Sequence, residues 1–210
     1  MAEVMVISRK NLFTDDRHFL GFQAAEERVF DSDFMVITLR FPQWLDRDLA
    51  EKDPSYKQPI VYMMVLNCDG LVFTYQRSRK DAAYPEKRLQ GKWSWGVGGH
   101  IKRVDEGSNP VFKSMRRELE EELEQIDTSG CCPHLLGYIN LEEGVHAVHF
   151  GFLYVVETNL KIIKPKDPEI VIGEVKPIRD LEGILTTGYD VEEWSRVALR
   201  PLKEFLSGHR

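Results

Sequence analysis

The sequence predicts an α/β protein in which a mixed β-sheet carries helices on its faces. Three observations predict it. A hairpin signature, Ile60–Leu66 and Leu71–Tyr75, flanks the turn Asn67-Cys68-Asp69-Gly70. An amphipathic helix follows, with Phe112, Met115, Leu119, Leu123 and Ile126 at helical spacing. Strand-like and helix-like segments alternate, and hairpins outnumber the crossovers that a purely parallel sheet requires.

Residues 1–57 read as an N-terminal extension packed on the domain that follows, residues 58–210. The extension has an apolar start at Val4–Ile7, an alternating piece from Phe34 to Phe41 and a polar run from Asp46 to Lys57, and Pro54 and Pro59 punctuate its end. Beyond the hairpin, residues 76–92 form a polar loop and Trp93–Val97 a short strand leading into Gly98-Gly99. Asn109 is placed to cap the central helix and Pro110 to occupy its first position, while Gly130 closes the far end beyond Ile126. Strands over 135–141 and 145–156 are joined across Glu142-Glu143-Gly144, and Ile170–Val175 is a further strand. A last helix from Asp190 carries Val191, Trp194, Val197 and Ala198 on one face until Pro201 breaks or kinks it.

The composition, 42% hydrophobic and 30% charged, is that of a globular protein able to bury a core. A net charge of -6 argues against a dedicated nucleic-acid binder, because the overall field repels phosphate backbones. No apolar run approaches the roughly 18 to 20 residues needed to span a bilayer, so no membrane partner is expected. The N-terminus lacks a secretory pattern, and Cys68, Cys131 and Cys132 form neither a metal motif nor an even disulfide framework. A cytoplasmic protein fits these features.

The chemistry concentrates in Arg116-Arg117-Glu118-Leu119-Glu120-Glu121-Glu122-Leu123-Glu124. At about 100° per residue, Glu118, Glu121 and Glu122 fall in one sector, roughly 100° round from the apolar row of Met115, Leu119 and Leu123. The helix therefore packs on a sheet and still turns three carboxylates outward. Like charges at this spacing repel, and Arg117 alone does not neutralise three acids; a hard divalent cation with carboxylate and water ligands would. The rival reading of the acids alone is a solvated helix face. The preceding loop, Trp95-Gly96-Val97-Gly98-Gly99-His100, favours the metal reading, since its glycines permit close backbone approach and a carbonyl there would be a further oxygen ligand.

Gly99, Asp105 and the run Arg117-Glu118-Leu119-Glu120-Glu121-Glu122 resemble the Nudix box, G-x5-E-x7-R-E-U-x-E-E-x-G-U, with U a bulky aliphatic residue. The run Arg88–Ile101 is also similar to the group of MutT-type predicted phosphoesterases. The resemblance implies a Nudix-like α/β/α sandwich. It implies Glu118, Glu121 and Glu122 as ligands of Mg²⁺ or Mn²⁺, the Gly98 carbonyl as a further ligand, and Arg117 as the residue that orients the acids. Four departures stand out: Asp105 where glutamate is usual, eleven residues rather than seven before Arg117, Glu124 in place of the late glycine, and Gln125 in place of the last aliphatic residue. The extra residues are expected in a loop before Asn109, where Gly107, Ser108 and Pro110 oppose helix.

Between Arg77 and Arg103 stand eight basic residues and two acidic ones, a composition suited to a phosphate-bearing small molecule. Arg77, Arg88 and His100 are the expected substrate contacts. Glu142 and Glu143 read as a solvated turn, and His146 and His149 as structural or surface histidines. The expected activity is hydrolysis of a diphosphate linkage in a nucleoside-diphosphate-linked or related compound, with a homodimer left open. Two rivals remain: a Nudix-fold module that binds a nucleotide without cleaving it, and an isopentenyl-diphosphate isomerase-like enzyme. The second requires a cysteine in the glycine loop, where residues 96–99 read Gly-Val-Gly-Gly.

Overall fold

The computed structural model describes residues 2–14, 17–25, 33–77, 90–166 and 170–208. In chain order the first elements are β1 (Glu3–Ser8), α1 (Arg9–Leu12), β2 (Gly21–Ala24), α2 (Phe34–Arg40), β3 (Gln43–Asp46), α3 (Arg47–Ala50), β4 (Tyr56–Leu66) and β5 (Val72–Arg77). They are followed by β6 (Trp93–Ser94), β7 (Val97–His100), α4 (Pro110–Glu122), β8 (Cys132–Asn140), β9 (His149–Glu157), β10 (Ile170–Lys176), α5 (Ile178–Thr186) and α6 (Glu193–Gly208). These make a mixed α/β fold whose chain divides into two units. One gathers Met1–Tyr62, Gly98–Arg116 and Leu135–Tyr154; the other gathers Met63–Val97, Arg117–His134 and Val155–Arg210.

In the first unit the strand order is β4-β9-β8-β2, with β1 and β7 also on β4. The apolar start of the chain becomes β1, whose Val4, Met5, Val6 and Ile7 are all buried. It pairs antiparallel with β3 from Glu3↔Asp46 to Val6↔Gln43, and its end meets β4 at Ile7↔Lys57. The alternating piece from Phe34 becomes helix α2, because its entry is fixed on both sides. Asp33 caps the amides of Met35 (2.8 Å) and Val36 (3.4 Å), and the Tyr138 hydroxyl on β8 donates to the same carboxylate at 2.7 Å. Phe34 then enters an aromatic cluster, 5.2 Å from the Tyr138 ring and 5.3 Å from Phe150. The strand expected from residue 145 begins at His149 instead, since Gly144–Val148 forms a 3-10 turn.

In the second unit the order is β10-β5-β4-β9, with β6 on β5. The hairpin forms as expected: Leu66 faces Val72, and the Asn67 side chain closes the turn by accepting from the amides of Asp69 (3.0 Å) and Leu71 (2.8 Å). β10 runs antiparallel along β5 from Ile170↔Arg77 to Lys176↔Val72, whereas Trp93 makes a parallel bridge with Val191. Helix α5, which the sequence pattern did not flag, buries Leu181 and Ile184. Helix α6 continues through Pro201 to Gly208; burial of Trp194, Ala198, Leu199 and Leu202 outweighs the roughly 3 kcal/mol disfavouring an internal proline.

Helix α4 opens as its sequence dictates, with the Asn109 side chain accepting from the Phe112 amide at 3.0 Å. The extra residues before it form a 3-10 turn at Arg103–Asp105 and a non-helical stretch to Asn109. Its far end departs from expectation: the helix stops at Glu122, not Ile126. A neighbouring segment takes over the backbone there. The Glu124 amide donates to the Lys164 carbonyl (2.9 Å), and the Lys166 amide to the Glu122 carbonyl (2.8 Å). With position 124 occupied by glutamate, it is Gln125 that adopts the left-handed conformation, at φ 54°.

Candidate functional site

On α4, helical periodicity delivers the acids as a group. Glu118 is buried, Glu122 half-buried and Glu121 exposed. Arg117 donates through Nη1 to Glu118 Oε1 and to Glu121 Oε2, the latter at 3.0 Å, so one guanidinium holds two carboxylates in place. Glu120 points elsewhere and accepts from the Thr128 hydroxyl at 2.9 Å, which marks it as structural. Glu118, Glu121 and Glu122 share one sector of the helix, yet among the described residues it is Glu51, His100 and His149, not these acids, whose ligand atoms all lie within 4.8 Å of one another.

Strand β7 presents a second group. Gly98 sits at φ 142°, and a Cβ there would lie 1.9 Å from the Val61 carbonyl oxygen, so only glycine fits against β4. Two residues on, His100 Nε2 lies 3.2 Å from His149 Nε2 and 3.7 Å from Glu51 Oε1, and His149 Nε2 is 3.5 Å from that same oxygen. Ser114 of α4 steadies the strand by donating its hydroxyl to the His100 carbonyl at 3.3 Å. Burial, reinforced by the neighbouring His149, pulls the His100 pKa down to about 3, so its ring is neutral at ordinary pH. A hydrogen bond from His149 holds Glu51 ionised down to about pH 2, although burial opposes it. Sequence reasoning gave His100 a substrate role, read His149 as a structural or surface histidine and passed over Glu51. Residues 51, 100 and 149 share no local pattern, and only the fold joins them.

Among the expected substrate contacts, Arg77 is engaged: Nε donates to Glu192 Oε1 (3.1 Å) and Nη2 to the Tyr75 hydroxyl (3.2 Å), with the guanidinium 5.2 Å over the Tyr75 ring. Arg88 lies outside the described residues. Glu142 is not the solvated turn residue expected. Arg9 clamps it with two bonds of 2.9 and 2.8 Å, with Lys57 Nζ at 3.4 Å and His18 at 3.2 Å. Asp105 is buried and accepts from the Lys102 amide at 2.8 Å, which gives it a turn-forming role.

The fold is similar to that of Tm1382, provisionally classed as a Nudix hydrolase, with a TM-score of 0.74 and 24% identity over 97% of this chain and 99% of that one. It is also similar to the NUDIX domain of Shewanella oneidensis NrtR, solved with ADP ribose, with a TM-score of 0.52 and 14% identity over 71% of this chain and 88% of that one. No protein-family profile matches the chain. In sequence, Protein YmaB of Bacillus subtilis is 30% identical over 185 residues, covering 85% of this chain and 87% of its own. The chain has the Nudix fold and belongs to one family with Protein YmaB.

Proposed function

We propose that the chain is a metal-dependent hydrolase that cleaves a diphosphate linkage in a nucleoside-diphosphate-linked or related small molecule. The observation that carries this reading is the Arg117 clamp on Glu118 and Glu121, which fixes an otherwise self-repelling row of acids on α4. The NrtR domain, which shares the fold, was solved with ADP ribose, a compound of the proposed class. Glu118, Glu121 and Glu122 would hold the ion, and a bound Mg²⁺ or Mn²⁺ supplies polarisation of a phosphoryl oxygen and acidification of an attacking water. Arg117 keeps two of the acids oriented, and a carboxylate of the row accepts the water proton. Residues 1–57 act in this reading as an extension on the catalytic domain. Three cysteines free of disulfides fit a reducing, cytoplasmic setting, and among the described residues no helix is long and apolar enough to cross a membrane.

The test is hydrolysis of a panel of diphosphate compounds with Mg²⁺ or Mn²⁺, read as released phosphate product, for the parent and for Glu121→Gln with Glu122→Gln. Cleavage by the parent and its loss in the double variant are expected. Full activity in a folded double variant sinks the proposal.

A further inference from the structure

The side chains of Glu51, His100 and His149 arrive from the end of α3, the end of β7 and the start of β9, and all belong to the first unit. Their three facing atoms form a triangle with sides of 3.2, 3.5 and 3.7 Å. Tetrahedral coordination with bonds of about 2.0–2.2 Å to imidazole nitrogen and carboxylate oxygen spaces neighbouring ligand atoms about 3.3–3.6 Å apart. The triangle's sides of 3.2, 3.5 and 3.7 Å bracket that spacing closely enough for small side-chain shifts to bring all three atoms onto one ion.

Protons do not account for it equally well. A single proton on one Nε2 leaves two lone-pair-bearing atoms facing each other across another side of the triangle. A proton on each imidazole sets two donors head to head at 3.2 Å. A central cation attracts all three atoms at once. The site is also shielded yet reachable, with both histidine side chains 11% exposed and Glu51 27%. We infer that His100 Nε2, His149 Nε2 and Glu51 Oε1 bind one divalent transition ion of the Zn²⁺ class. Two imidazole ligands favour Zn²⁺ or Co²⁺ over Mg²⁺, which sets the site apart chemically from the all-oxygen row on α4. Three protein ligands leave a fourth position for water or a small anion. Because Glu51 lies in the N-terminal segment, the ion fastens that segment to β7 and β9.

The test uses the full chain stripped with a chelator and refilled with Co²⁺ or Zn²⁺. The parent should show visible Co²⁺ absorption that saturates at one equivalent per chain and that Zn²⁺ bleaches, and it should gain several degrees in Tm with Zn²⁺ that Glu51→Gln removes. His149→Gln should weaken Co²⁺ binding at least about tenfold, since even outer-shell partners of metal ligands contribute that much. Glu51→Gln, a conservative change at the most exposed of the three, should do the same and keeps the test decisive if His149→Gln fails to fold. The Glu121→Gln, Glu122→Gln protein should keep the full Co²⁺ spectrum. The inference is overturned if the parent shows no visible band, if both cluster variants bind like the parent, or if the α4 variant alone abolishes binding.

Discussion

The acids of α4 and the cluster of Glu51, His100 and His149 are assembled in opposite ways. On α4, three carboxylates within five residues reach one sector because a helix turns about 100° per residue, and a local arginine steadies them. The cluster draws one side chain from each of three distant segments, and its geometry exists only when β7 and β9 have found their places beside the end of α3. The first arrangement tolerates local change in neighbouring strands. The second depends on backbone fit, and Gly98 is where that fit is tightest.

Gly98→Ala should therefore have the largest effect, about 4 kcal/mol of destabilisation in urea unfolding, because the new Cβ would overlap the Val61 carbonyl oxygen at a positive φ. Gly70→Ala, also at positive φ but with nothing within 4 Å, should lose only about 1 kcal/mol. Equal losses at the two positions would remove the close-packing account of the glycine loop. Next comes the α4 row: Glu121→Gln with Glu122→Gln should reduce diphosphate hydrolysis by at least ~10²-fold, about 3 kcal/mol of transition-state stabilisation, with Tm in the absence of metal unchanged or slightly raised. A large drop in metal-free Tm would show that the acids are structural.

A smaller effect follows from the charges that hold the N-terminal segment. Burial raises the Glu142 pKa, but hydrogen bonds from Arg9 and His18 and the charge of Lys57 outweigh it and bring it from 4.5 to about 2. Its contribution to stability is complete above the ordinary carboxylate pKa and is lost as pH falls from 4.5 toward 2, on the order of 2 kcal/mol. Lys57 gives the same sign of slope on the alkaline side: burial lowers its pKa from 10.5 to about 8, so stability rises as pH climbs between those values and the cost of burying its charge is relieved. Urea midpoints across pH should show the acid-side loss in the parent and a shallower one in Glu142→Gln. The smallest change is Asn109→Ala, which removes the α4 cap and should lower stability by about 1 kcal/mol while sparing Co²⁺ uptake by the histidines.

What the sequence made legible was local. The Asn67–Gly70 turn, the Asn109 cap with Pro110 at the helix start, and the acid row were each written in a few adjacent residues, and the fold kept them. Several of the misreadings involve a distant partner. Phe34–Phe41 alternates like a strand, yet Asp33 and the Tyr138 hydroxyl start a helix there. Glu142 looks like a solvated turn residue until Arg9 is brought to it from the other end of the chain. The end of α4 was displaced by pairing with Lys164 and Lys166, whose sequence says nothing of that role. The histidine cluster is the extreme case, because neither ring announces its neighbour.

The Arg9–Glu142 clamp also bears on how the chain comes together in time. Its two halves are 133 residues apart, and Asp33 is 105 residues from the tyrosine that holds it. During synthesis from the N-terminus, the Arg9 guanidinium lacks Glu142, the Asp33 carboxylate lacks the Tyr138 hydroxyl and strand β2 lacks β8 until about two-thirds of this sequence has been made. Closing loops of that length is slow, and an unpaired strand with an uncovered Phe34 is open to wrong partners while it waits. The segment made first thus depends on residues made much later, and the interval before β8 and β9 emerge is the stretch of this protein's birth in which a chaperone has most to protect.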